Sequence, residues 1–296
     1  MNDSGQTAPM VSFVDPPAAA VRAAVAAALA EDLTPLGDLT AALLDPKRTT
    51  VAWCVARQPG VLAGRACAVE AFAQVDSDVS SEWFASDGDR VEPGDRVARI
   101  EGRLAPVLTA ERTALNFLGH LSGIATETAR YVAASAVGGP ATVWDTRKTT
   151  PGLRSLEKAA VRAGGGRNHR GNLSDWILLK DNHITGLGIT EAVSRARSMW
   201  PARTVHVECD RIDQMLEAIG AGAGAVLLDN MTPALVVEAV AEAGRVDPGR
   251  HCLLEVSGGI TLSTIAQYSA TGVDLISIGR ITNSAPVLDL GLDIEA

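Results

Sequence analysis

Apolar positions in the first part of the chain recur at helical spacing, then give way to short runs punctuated by Gly and Pro. The alanine-rich stretch behind Asp15-Pro16-Pro17 reads as a helix to Asp32, with Asp15 as N-cap and proline opening the first turn. Thr50 to Arg57 has strand composition and Gly64 to Val75 helical spacing. Asp87 to Glu101 sets Val-rich pieces between turns, the pattern of paired short strands. From Thr109 to Ala136 helical periodicity runs long, with a break expected at Ser122-Gly123 and an end at Gly138-Gly139-Pro140. Residues 1–14 form a polar lead-in.

Beyond Pro140 the pattern changes to short apolar strands, each followed by a helical stretch: Thr142–Trp144, Trp176–Leu179, Val205–Val207, Ala225–Leu228, Leu253–Val256 and Leu275–Ile278. Alternating βα units imply a parallel sheet, and six strands where a complete barrel needs eight favour an open, incomplete α/β barrel, with a doubly wound sheet as the rival. The tail from Leu288 to Glu295 alternates apolar and polar residues with period two, so it reads as a half-buried strand returning to the first domain. The fold class is α/β. An N-terminal α+β sandwich domain spans residues 1–114 and is joined by the C-terminal strand 285–296, with the barrel over 115–284.

At 47% hydrophobic and 21% charged residues, the chain has ample apolar material for a core, which excludes disorder as its main description. The apolar run Ala18 to Ala30 carries Arg22 and falls short of a membrane span, and no basic residue precedes Arg22 as a targeting segment would need; the expected compartment is the cytoplasm. Four dispersed cysteines, Cys54, Cys67, Cys209 and Cys252, fit buried reduced thiols better than a zinc or redox motif. The net charge of −9 argues against nucleic acid as a partner. Yet Arg147 to Lys180 holds eight Lys/Arg against Glu157 and Asp175, a local +6 that suggests a small anionic ligand.

Each strand of the second half delivers polar groups where it ends: Asp145, Thr146, Arg147 and Lys148; Lys180 and Asp181; Glu208; Asp229 and Asn230; Ser257-Gly258-Gly259; Gly279-Arg280. In α/β barrels that face carries the active site, and loops after the last strands commonly cradle phosphate on backbone N–H groups. Gly220-Ala-Gly222-Ala-Gly224 precedes a strand instead of following one, so it is no dinucleotide fingerprint, and Gly164-Gly165-Gly166 lacks the Lys-Ser/Thr of a P-loop. The five histidines show neither metal-ligand nor hydrolase spacing; His169 stands out because it lies in the basic cluster beside Arg170.

The runs Asp145-Thr-Arg-Lys-Thr-Thr-Pro-Gly-Leu-Arg154, Gly164-Gly-Gly-Arg-Asn-His-Arg170 and Leu179-Lys-Asp-Asn-His-Ile184 resemble the quinolinate phosphoribosyltransferase family. The likeness extends to Glu31-Asp32 with Gly37-Asp-Leu-Thr40, to Glu111-Arg-Thr-Ala-Leu-Asn116 with Leu121-Ser-Gly123, to Leu227-Leu-Asp-Asn-Met231 and to Glu255-Val-Ser-Gly-Gly259, nearly the whole chain. It implies a type II phosphoribosyltransferase-like fold and a pentosyl transfer from 5-phosphoribosyl 1-pyrophosphate to quinolinate. The products would be nicotinate mononucleotide, pyrophosphate and CO2, in NAD biosynthesis. Matched residue by residue, it implies catalytic roles for Lys148, Lys180, Glu208 and Asp229. Substrate would be held by these with Arg112, Thr146, Arg147, His169, Arg170, Ser257, Gly258, Gly259 and Gly279. Mg2+ is the implied cofactor, held by Glu208 and Asp229 directly or through the ribose hydroxyls. The resemblance also implies that Arg112 enters a neighbouring subunit's site, so that a homodimer, or an oligomer built from dimers, shares its active sites. Two other functions fit the residues alone. Lys148 and Lys180 suit a Schiff-base barrel aldolase, and the glycine loops suit a non-catalytic phosphate-ligand sensor, which would not need Glu208 and Asp229.

Overall fold

The computed structural model describes residues 15–295; the lead-in expected over 1–14 lies outside them. Helix α1 (Ala18–Leu33) starts later than expected, with Pro17 rather than Asp15 in the N-cap position. The reason is local: Asp15 and Pro16 each precede a proline, which pushes both toward extended backbone, so the helix begins only after Pro17. The Pro17 carbonyl accepts from the N–H groups of Ala20 and Val21 at 2.9 and 3.2 Å.

After a 3-10 turn (Ala41–Leu43) come β1 (Thr49–Ala56), β2 (Gly60–Val61), α2 (Arg65–Val75), β3 (Ser80–Trp83), β4 (Arg90–Val91) and β5 (Arg96–Arg103). The two strands expected between Asp87 and Glu101 form, but they do not pair with each other: β4 pairs with β2, and β5 lies between β1 and β3. The turn between them is tied to the end of β1, where Ala56 N–H donates to the Asp95 carbonyl at 3.0 Å and Gly94 N–H to the Ala56 carbonyl at 2.8 Å. That anchoring commits β5 to β1.

Helix α3 (Leu104–Gly138) runs 35 residues without the break expected at Ser122-Gly123. Those weak helix formers serve close packing instead. Ser122 Oγ accepts from Ala63 N–H at 2.9 Å and donates to the Ala63 carbonyl at 3.1 Å, while a Cβ on Gly123 would lie 2.1 Å from the Pro286 carbonyl oxygen. Tertiary contact overrides local propensity here.

The second half contains β6 (Thr142–Trp144), α4 (Arg154–Ala163), β7 (Ile177–Leu179), α5 (Asp181–Ile184), α6 (Ile189–Met199), β8 (Val205–Cys209), α7 (Ile212–Gly220), β9 (Ala225–Asp229), α8 (Pro233–Val246), β10 (Leu253–Ser257), α9 (Ile265–Ser269), β11 (Leu275–Ser277) and α10 (Arg280–Asn283). Its sheet is parallel in the order β6-β11-β10-β9-β8-β7. Sequential order with the first strand wrapped round to the last is that of an open barrel; a doubly wound sheet would reverse its order at a switch point. On the open side of β6 the chain adds one parallel bridge, Trp144 to Arg167. The tail strand β12 (Leu290–Ile294) returns to pair antiparallel with β1, giving a four-stranded sheet β12-β1-β5-β3. Among the described residues no helix is long and apolar enough to cross a membrane. All four cysteines are buried and free.

Candidate active site

The C-terminal ends of the barrel strands surround a cavity of 340 Å³ lined by Thr146, Arg147, Lys148, His169, Arg170, Lys180, Glu208, Asp229, Glu255, Ser257 and Ser277, with Leu178 and Leu227. Two larger hollows, of 540 and 520 Å³, lie against α1 and lack this convergence of charge. Strands run slightly further than their apolar cores suggested, so Glu208, Asp229 and Ser257 belong to β8, β9 and β10 themselves. Rigid strands, not loops, aim these groups.

The segment after β6 is fixed by a buried polar knot. Asp145, fully buried, takes Lys158 Nζ of α4 at 2.5 Å, His169 N–H at 2.8 Å and Asn168 Nδ2 at 2.7 Å; Lys158 Nζ also donates to the His169 carbonyl at 2.9 Å. Burial raises the Asp145 carboxyl and lowers the Lys158 ammonium from their ordinary values, and their mutual attraction opposes both shifts. The knot holds the Gly164–Arg170 segment beside β6 and so carries His169 and Arg170 to the cavity wall. Arg154 reinforces it, its Nε donating to Thr149 Oγ1 at 3.0 Å and its guanidinium to the Gly171 carbonyl at 3.1 Å.

One cation of the cavity has a buried donor that the protein leaves unsatisfied. Arg147 Nε is buried with no hydrogen-bond partner among the described residues. Burial, with the Arg147 charge beside it, lowers Arg170 from its ordinary value. The buried Arg170 and the half-buried Arg147 beside it make a pair of guanidiniums suited to bind an anion. Lys180 pairs closely with Glu208, and Asp229 accepts from Asn230 Nδ2 at 2.7 Å. Two hard carboxylate oxygens on one cavity suit Mg2+, which usually takes one or two carboxylates and completes its shell with water and phosphate oxygens.

Of Ser257, Gly258, Gly259 and Gly279, only Ser257 lines the cavity. Gly258 has φ +97°, and a Cβ there would lie 2.1 Å from Asn230 Oδ1, so the loops after β9 and β10 interlock only with glycine at this position. A Cβ on Gly279 would meet Lys148 Cδ at 2.8 Å. Arg112 is exposed on α3 and lies outside the cavity of its own chain.

Glu255, Ser277 and His206 were not picked out as site residues from the sequence. Glu255 and Ser277 line the cavity, and His206 packs against Glu255 beneath it. Side chains two apart on a strand share a face, so Glu255 faces inward with Ser257, as His206 does with Glu208. A polar residue two positions before a strand-end site residue was the available signal. His169 Nε2 stands 3.2 Å and His206 Nε2 3.3 Å from the same Glu255 oxygen, all three buried. They are the one set of three potential metal ligands found together among the described residues.

Residues 38–122 match the quinolinate phosphoribosyltransferase N-terminal domain and residues 124–293 its C-terminal domain. The carboxylating nicotinate-nucleotide pyrophosphorylase of Mycobacterium leprae is 39% identical over 279 residues, covering 93% of this chain and 97% of the relative. The Arabidopsis thaliana protein of the same name is 36% identical over 292 residues, covering 93% and 83%. Among solved structures, the nicotinate-nucleotide pyrophosphorylase from Francisella tularensis superimposes with TM-score 0.91 at 38% identity, covering 97% of this chain and all of that one. Two domain matches that together span most of the described residues, on a cavity that gathers Arg147, Lys148, Arg170 and Lys180, place this chain in the quinolinate phosphoribosyltransferase family.

Proposed function

We propose that the protein transfers the phosphoribosyl group of 5-phosphoribosyl 1-pyrophosphate to quinolinate, releasing pyrophosphate and CO2 and forming nicotinate mononucleotide for de novo NAD synthesis. The observation that carries this reading is the gathering of Arg147, Lys148, Arg170 and Lys180 from separate strand ends around one small cavity. Two substrates that together bring two carboxylates and several phosphate charges need such a set to offset their repulsion. The Lys180 amine is engaged by Glu208 and so is not the free amine a Schiff-base aldolase needs, which leaves only Lys148 for that alternative.

In the reaction the quinolinate nitrogen attacks the anomeric carbon as the bond to pyrophosphate breaks, through an oxocarbenium-like transition state. Arg147, Arg170 and His169 hold the dicarboxylate. Lys148 and Lys180 meet the negative charge that develops on the leaving group and the carboxylate. Glu208 and Asp229 hold the ribose hydroxyls or Mg2+, which when bound would neutralise charge on the departing pyrophosphate. The new pyridinium then takes the electron pair of the adjacent C–CO2 bond, and the ring carbon takes a proton, so no covalent nucleophile is required. Ser257, Gly258, Gly259 and Gly279 receive the 5′-phosphate on backbone N–H groups, where Thr146 and Lys148 stand close to Gly279. The reduced, buried cysteines fit the cytoplasm as the site of this reaction.

The assay is nicotinate mononucleotide formation from quinolinate and phosphoribosyl pyrophosphate, with nicotinate competing. Quinolinate is expected to be strongly preferred, because a site with several cations is left uncompensated by a single carboxylate. Equal efficiency with nicotinate would overturn the reading.

Arg112, exposed on its own chain, serves a neighbouring subunit in this reading, and the working unit is a homodimer with shared sites. Arg112→Ala and Lys180→Ala dimers should each be nearly inactive. Co-refolded, their mixed dimer holds one site with both lesions and one with neither, so roughly a quarter of wild-type activity should return under random pairing. Confirmed mixed dimers without recovered activity would confine Arg112 to its own chain.

A further inference from the structure

We propose that His169, His206 and Glu255 form a binding site for a transition-metal ion of the zinc class, open to the cavity, and that an ion held there blocks the reaction by taking the ring nitrogen of quinolinate as a further ligand. The site stands on its own geometry; its effect on turnover rests on the function proposed above. The three residues come from separate pieces of the barrel: His206 from β8, Glu255 from β10 and His169 from the segment tied to Asp145 after β6. In barrels the inward residues of alternate strands fill the interior in layers, ordinarily with branched apolar side chains. β8 and β10 are alternate strands, since β9 lies between them. Here they place an imidazole and a carboxylate in the interior, both buried, and polar groups buried without partners cost free energy.

Two of those partners are missing. Glu255 Oε1 and His206 Nε2 are buried, and neither has a hydrogen-bond partner among the described residues. The His206 ring donates its hydrogen bond to the backbone of Val226, and with Nε2 unpartnered the donor is Nδ1. Nε2 therefore keeps its lone pair, which stands 3.3 Å from Glu255 Oε2, one acceptor against another. A cation between them turns that repulsion into attraction. Metal-ligating histidines commonly give their other N–H to a backbone carbonyl in this way, which fixes the tautomer that binds.

The spacing agrees. Ligand atoms about 2 Å from a tetrahedral ion lie about 3.3 Å from one another. His169 Nε2 stands 3.2 Å and His206 Nε2 3.3 Å from Glu255 Oε2, and the three atoms lie within 4.8 Å of one another. Two imidazoles and a carboxylate are a donor set that zinc takes with one position left open. His169 and Glu255 line the cavity, so the open position faces it. Glu208 and Asp229 are a different site, since carboxylates without an imidazole suit a hard ion such as Mg2+. Quinolinate carries its ring nitrogen beside a carboxylate, a chelating pair. The lone pair it would give to the ion is the one that must attack the anomeric carbon, so an ion at this site stops the transfer.

Co2+ is the probe, because its visible absorption reports a tetrahedral site directly. Titrated into the protein with Mg2+ in excess, Co2+ should give intense visible bands that saturate at one equivalent, and Zn2+ should bleach them. X-ray absorption of the zinc-loaded wild type, which needs no variant, should show two imidazole ligands. One equivalent of Zn2+ should nearly abolish quinolinate turnover, and a zinc-selective chelator should restore it. His206→Leu should weaken Co2+ binding by about tenfold or more, whereas Asp229→Asn should keep the bands. A wild type that shows no saturable bands and retains no zinc would overturn the inference, in favour of a water molecule shared by Glu255 and His206. Bands that survive His206→Leu at full affinity, or that vanish in Asp229→Asn, would overturn it by moving the ion elsewhere. Zinc held by two imidazoles with turnover unchanged would overturn the inhibitory role. Absence of quinolinate turnover by the zinc-free, Mg2+-supplied wild type would instead overturn the proposed function and leave the metal site standing.

Discussion

From Ala18 to Gly138 the interior is filled by side chains such as Val25, Leu62, Phe72, Ile100 and Leu118, and Glu127 is the one charged residue buried there among those described. From Ala141 to Ile278 the interior also holds Asp145, Glu157, Lys158, Arg170 and Glu255, together with His169 and His206. Burying charge costs free energy that apolar packing would not. The first half is thus built to pack, and the second accepts a less economical interior because its charges hold a ligand-binding segment in place. The difference locates function without reference to any relative.

Breaking the buried pair should give the largest effect. Asp145→Ala leaves the Lys158 ammonium buried without its carboxylate and should lower stability by about 3–5 kcal/mol in chemical denaturation. In the first half, Leu62→Ala removes a fully buried side chain and should cost about 2–5 kcal/mol, but with turnover of the folded protein unchanged. Joining Asp145→Leu to Lys158→Met sharpens the contrast. The double variant should recover much of the stability and none of the activity, since Asn168 and the His169 N–H lose the acceptor that places them. A double variant with full turnover would show that the knot serves packing alone.

Next in size are the cavity lysines. Lys148→Ala and Lys180→Ala should each reduce turnover by about 10²–10³-fold, the scale of losing one preorganised charge at a transition state. Neither should move the melting temperature much, because Lys148 is exposed and the Lys180 side chain is 43% exposed. Wild-type turnover in either variant would remove that lysine from the site.

The same contrast explains what the sequence disclosed. The six barrel strands were legible because strands covered on both faces read as continuous apolar runs, such as Ala225-Val-Leu-Leu228. Most cavity residues were legible because they stand where those runs end. Glu255 and His206 were hidden inside the runs, where only strand alternation marks the inward face. In the first half, β2 has two residues and β3 is the polar Ser-Ser-Glu-Trp, too short and too exposed to carry a hydrophobic pattern. The uninterrupted α3 was hidden for another reason: what Ser122 and Gly123 touch, Ala63 and Pro286, is far away in sequence.

The smallest effect expected is a lack of contrast. Cys54 and Cys67 lie in the first half, Cys209 and Cys252 in the second, and burial pushes all four thiols up to about 12. At pH 8 that leaves roughly one thiolate in ten thousand, so a thiol reagent should find the native protein inert and all four cysteines reactive in denaturant. The order of exposure on the way is informative. Helix α3 packs on α2 in one half and on α4 and α9 in the other, so opening either half strips the shared helix of its partner. Under mild denaturant the two pairs should therefore label at rates within about twofold of each other, as one cooperative unit. Mass spectrometry of the labelled peptides separates the pairs. Barrel thiols labelling tenfold ahead of Cys54 and Cys67 would mean that the charged interior opens by itself, and that α3 does not bind the two halves into one folding unit.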